Sequence, residues 1–112
     1  MDDKTQQIVK EMQVAYWMEI ETVLSYIANS TNLDGVRAEE IKKSLAADIA
    51  EELTHAQNIA RRIKTIGGRV PGSMQFQATQ ESLQPPSDST DVVSVIKGVI
   101  KAEENAIAQY KK

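Results

Sequence analysis

Apolar residues recur along this chain at alternating steps of four and three, the spacing that aligns side chains on one face of an α-helix. Ile8, Met12, Ala15, Glu19, Thr22 and Tyr26 form one such seam, with a carboxylate at its middle. Trp17, Ile20, Leu24 and Ile27 form a second stripe, and a third includes Val14, Met18 and Val23. The pattern predicts a first helix over about 3–30, opened by a capping box of Asp3 and Gln6. A helix that is apolar on more than one side packs against more than one neighbour. A central place in a bundle and an oligomer interface account for this equally well.

Asn32-Leu33-Asp34-Gly35 is a turn signal. It is short, so the second helix, over about 36–66, is expected to pack antiparallel to the first. Its seam is Ile41, Leu45, Ile49, Ala56, Ile59, Ile63 and Ile66. Glu52 and His55 lie on or beside that seam, and Asp48 is one turn earlier. Gly67-Gly68 supplies a helix stop, and Arg61, Arg62 and Lys64 suit the negative end of the helix dipole. A connection over about 67–88 holds all three prolines and is long for a compact domain, which a crossover running the length of a bundle would explain. The capping-rich run from Pro85 to Asp91 then opens a third helix over about 89–112, parallel to the second. Its seam is Val92, Ile96, Val99, Glu103, Ala106 and Tyr110. Glu103 precedes Tyr110 by the same interval as Glu19 precedes Tyr26.

These elements make residues 1–112 a single all-α domain. One Trp, one Phe and three Tyr leave the core to aliphatic residues. The absence of cysteine excludes disulfides, zinc–thiolate sites and Fe–S clusters. A net charge of −3 with both signs interspersed argues against a nucleic-acid partner. No apolar run is long enough to span a bilayer and no signal-peptide pattern opens the chain, so the expectation is a cytoplasmic protein with no membrane partner.

A carboxylate in an aliphatic seam is unfavourable unless it is paired or bound to a metal. Glu19, Glu52 and Glu103 each occupy such a place, and clustered carboxylates repel unless some are protonated or cations intervene. Glu52 and His55 stand three residues apart and point the same way, so one ion can be gripped by both. Several carboxylates with one imidazole suit iron or manganese better than structural zinc. Singly, each feature has an ordinary explanation. An inward Glu can pair with Lys, and Tyr26 and Tyr110 can be plain core residues.

The ordered set Glu19-Ile-Glu-Thr-Val-Leu-Ser-Tyr26, Glu52-Leu-Thr-His55, a long crossover, then Glu103-Glu-Asn-Ala-Ile-Ala-Gln-Tyr110 resembles the ferritin-like superfamily, nearest to bacterioferritins. The resemblance covers nearly the whole chain and implies an up-down helical bundle with a di-iron centre. Glu19 and His55 would be terminal ligands of one iron, Glu52 a bridge, and Glu103 a terminal ligand of the second, with Glu104 its competitor. Tyr26 would act catalytically beside the metals, and Tyr110 would be a near neighbour. The implied activity is ferroxidase chemistry, in which Fe(II) is oxidised by O2 or peroxide for storage or detoxification in a homo-oligomer. Rubrerythrin-like peroxide reduction and a metal-free helical oligomerisation module are the alternatives. Haem is not expected, because Leu53 stands where haem-binding relatives carry Met.

The family's fourth helix, with its own Glu-x-x-His, has no counterpart in these residues. A longer parent protein is the reading we favour. Completion by another chain, or a three-helix form holding one metal at most, are the others.

Overall fold

The computed structural model describes residues 2–111. Helix α1 spans Asp3–Asn32, α2 Glu39–Thr65 and α3 Val92–Tyr110. The connections contain only single 3-10 turns, at Val36–Ala38, Ser73–Gln75 and Glu81–Leu83. There is no strand among the described residues, and no helix is long and apolar enough to cross a membrane. The molecule is elongated, 53 × 24 × 21 Å.

The helix boundaries lie within three residues of the sequence expectation, and the differences have local reasons. Asp2, not Asp3, caps α1: its backbone is extended and its carboxylate accepts from the Thr5 amide at 2.7 Å. The helix runs on to Asn32, since no Gly or Pro interrupts it before Gly35, which turns the chain at φ +98°. The 3-10 turn at Val36–Ala38 takes up the first residues expected in α2. Asp88 binds the Thr90 amide and hydroxyl, holding residues 88–90 in a turn, so Asp91 becomes the cap of α3 by accepting from Ser94 N.

Gly67-Gly68 does end α2. Gly67 adopts φ +91°, its amide meets Lys64 O, and the Gly68 amide meets Ile63 O at 2.8 Å. This paired arrangement satisfies the last carbonyls of the helix.

Helix α1 is the spine. Helix α2 packs along it antiparallel, and α3 rests on it and on the Glu81–Leu83 turn of the crossover. The Asp34 amide binds Ser89 O, so α3 starts beside the α1–α2 turn and runs parallel to α2. At the other end the Gln109 amide group reaches Glu11. The crossover therefore returns the chain over the full bundle length, as the length of the connection suggested. Tyr26, Leu33, Ala38, Leu45, Leu83, Val95 and Ala102 form the core, with Ile41, Ile49, Val92 and Val99 packed against it.

One seam faces differently from the expectation. Val95, Gly98, Ala102 and Gln109 are the buried residues of α3, whereas Ile96 and Tyr110 are exposed. The crossover is what turns the helix. It presses on Gly98 so closely that a Cβ there would lie 2.0 Å from Ser82 O. The expected seam instead lies toward the cleft between α2 and α3. A backbone carbonyl cannot swing aside, so Gly98→Ala should destabilise the fold by ~2 kcal/mol through overpacking. Thermal melting checks this, and an unchanged melting temperature would refute so tight a contact.

Candidate metal centre

Three side chains meet near the middle of the α1–α2 pair. Glu19 comes from α1, and Glu52 and His55 from one turn of α2. One donor atom from each lies within 4.8 Å of the other two. His55 Nδ1 is 3.5 Å from Glu19 Oε2 and 3.7 Å from Glu52 Oε2. On the ring's far side, Nε2 is 3.8 Å from Glu51 of the exposed face. These are the only ion pairs among the described residues, so neither buried-facing carboxylate is neutralised by a Lys or Arg.

The electrostatics follow from that composition. Glu19 is almost completely buried, and its Oε2 has no hydrogen-bond partner. Its other oxygen accepts from the Tyr110 hydroxyl at 2.5 Å. Burial, and then the facing Glu19 carboxylate, push the Glu52 pKa up to about 8, with Glu51 and Asp48 adding to the effect. Burial, then the charges of Glu52, Glu103, Asp48 and Glu19, raise the Tyr26 hydroxyl above its ordinary value. Tyr110 is raised by burial and by its bond to Glu19. Both phenols stay protonated throughout the physiological range.

An orphaned carboxylate oxygen, a second carboxyl group and an imidazole, all within reach of one point, form a donor set that fits a divalent first-row metal ion. The cation would supply the partner that Glu19 Oε2 lacks and relieve the repulsion that keeps Glu52 protonated. The three residues open into a cleft of about 290 Å³ whose walls include Met18, Thr22, Tyr26, Gln80, Glu103 and Tyr110.

Of the expected site residues, Glu19, Glu52 and His55 are brought together. Tyr26 lines the same cleft. Glu103 also lines it, but its side chain is exposed and outside the three-residue ligand group. Glu104 does not line the cleft. Asp48 acts by its charge and does not join the ligand group.

Sequence reasoning missed Gln80. It stands on the crossover, is buried, and joins its amide group to Thr22 Oγ1 and Met18 O of α1. It missed the reason for Glu21 as well. That carboxylate is buried and accepts from the Thr79 and Gln80 amides at 2.8 and 2.7 Å, clasping the crossover to α1. The only available signal was an acid inside an otherwise apolar stretch, and its partners lie nearly sixty residues away.

The ferritin-like domain model matches residues 9–112, so the chain belongs to that family. A crystal structure described as ferritin like, diiron-carboxylate proteins from Bacillus anthracis str. Ames superposes with a TM-score of 0.84 at 19% identity, covering 99% of this chain and 73% of that one. Its likeness shows the fold. No curated protein matches the chain.

Proposed function

We propose that this protein binds Fe(II) at Glu19, Glu52 and His55 and promotes its oxidation by O2 or peroxide. The observation that carries the reading is the unpartnered, buried Glu19 Oε2 facing an imidazole and a second carboxyl group. Family membership and the fold shared with a diiron-carboxylate protein support iron over other divalent ions. In the balanced reaction two Fe(II) ions each give up one electron, and one peroxide takes both with two protons to leave two waters. The cytoplasm, where Fe(II) persists, is the setting this reading implies.

The chain's own residues do the following. Glu19 and Glu52 supply anionic oxygen donors, and His55 a neutral nitrogen. Glu52 gives up its proton as the cation enters, which couples binding to proton release. Tyr110 holds Glu19 by a hydrogen bond, so its free oxygen stays turned toward His55. Tyr26 presents a protonated phenol to the cleft, placed to donate a hydrogen bond to the oxidant as it is reduced. Glu103 on the opposite wall supplies a carboxylate for a second ion.

Anaerobic Fe(II) titration of the purified chain tests this. Binding of one ion per chain, or two where Glu103 and a further donor complete the pair, is expected. His55→Ala should weaken the site about a hundredfold without loss of helix. Equal binding by parent and variant would sink the reading, and the metal-free module would stand in its place.

A further inference from the structure

The crossover sets a primary amide, the side chain of Gln80, into the wall of the metal cleft, and the fold does not need that amide to hold the crossover down. Glu21 already binds the backbone amides of Thr79 and Gln80, and Asn29 donates to Leu83 O three residues further on. Gln80 is nonetheless only 4% exposed, at a place where Leu or Met would avoid the cost of desolvating a polar group. Gln80 and Thr22 both line the cleft that holds Glu19, Glu52 and His55.

The hydrogen bonds around the amide leave one acceptor to spare. Met18 O only accepts, so the Gln80 atom 3.2 Å from it is the nitrogen. Nε2 gives its two protons to Met18 O and, at 3.0 Å, to Thr22 Oγ1. The Thr22 hydroxyl has one proton and two acceptors within reach, Met18 O at 2.8 Å and Gln80 Oε1 at 3.1 Å. When the proton goes to the nearer, Gln80 Oε1 is left without a donor. An O–H group in the cleft can therefore claim Oε1 while the Thr22 hydroxyl keeps a partner, so no hydrogen bond is lost in the exchange.

We propose that Gln80 Oε1 accepts a hydrogen bond from hydrogen peroxide in the cleft and so selects peroxide over O2 as the oxidant. This deepens the iron-oxidation reading and rests on it for its reaction. Peroxide takes one electron from each of two Fe(II) ions, its O–O bond breaks, and two protons from solvent complete two waters. Peroxide brings two O–H groups and gains from an acceptor, whereas O2 brings none and gains nothing. Tyr26 lines the same cleft and offers the complementary donor.

Gln80→Met keeps the length of the side chain and the backbone bonds to Glu21, so the fold should survive. Its ratio of Fe(II) oxidation rates with peroxide and with O2 should fall about tenfold, the worth of one hydrogen bond, at unchanged anaerobic Fe(II) affinity. Thr22→Val removes the competing hydroxyl proton and frees Oε1, so the ratio should hold or rise. A network that only braces the helix would respond alike to both changes. An unchanged ratio in Gln80→Met, or an equal fall in Thr22→Val, overturns the proposal. A second readout needs no iron. In the metal-free chain the side-chain amide NMR signals of Gln80 should shift saturably as hydrogen peroxide is added, and at lower concentration in Thr22→Val. The absence of any shift overturns the proposal as well. A parent chain that binds no Fe(II) would sink the iron reading instead, and the peroxide titration would still decide this one.

Discussion

Glu52→Gln protein should melt at a higher temperature than the parent above about pH 6 in the absence of metal, and should bind Fe(II) at least a hundredfold more weakly. Both effects come from one carboxyl group. Folded, Glu52 keeps its proton up to about pH 8, against an ordinary value of 4.5. Between these limits the native state holds a proton that the unfolded chain has released. Stability therefore falls as pH rises through this window and stays lost above it. Glutamine cannot ionise, so the variant is spared that loss. With allowance for solvent at the cleft mouth the gain is roughly 1–2 kcal/mol, or about 4–8 °C. In the parent protein the same proton must leave before the oxygen can bind a cation. Apparent Fe(II) affinity should rise with pH up to about 8, by close to tenfold per unit. Identical pH profiles of melting for parent and variant would show that Glu52 does not carry the buried proton.

The second large effect is expected at Glu21, away from the metal. Glu21→Ala should cost ~3 kcal/mol, because it strands the buried Gln80 amide and the partly buried Thr79 amide together. Glu21→Gln keeps one acceptor and should lose about half as much. The damage should be regional before it is global. Limited proteolysis should open the segment 69–84 first, and the contacts of Gln80 with Thr22 and Met18 should go with it. A variant cut no faster than the parent would mean that the prolines and the Leu83 packing hold the crossover unaided.

Three helices, a parallel return and the meeting of Glu19 with Glu52 and His55 were legible because they depend on periodicity. Steps of three and four fix which residues share a face, whatever packs on it. The face of α3 was less legible because two stripes compete there: Val92, Ile96 and Val99 are bulkier, yet Val95, Gly98 and Ala102 are buried. The face is set at Gly98, where the crossover backbone lies too close for any side chain, a choice made by a neighbour and not by hydrophobicity. Glu103 followed the same error and emerges exposed on the cleft wall. The role of Glu21 was not legible, since its partners are backbone amides, which have no sequence signature.

The three grouped donors of the candidate site lie between residues 19 and 55, within the α1–α2 hairpin, while α3 rests on α1 across one face. The most direct grip on an ion therefore falls on the hairpin, while α3 feels it through the shared core of Tyr26, Leu45, Val95 and Ala102. In native-state hydrogen exchange, a bound ion should slow the amides of α1 and α2 by mass action on that unit. Those of α3 should be slowed less, through the shared core, the Tyr110–Glu19 bond and, where a second ion binds, Glu103. The hairpin is then the part that remembers the metal most strongly, and the third helix the part that hears of it second-hand.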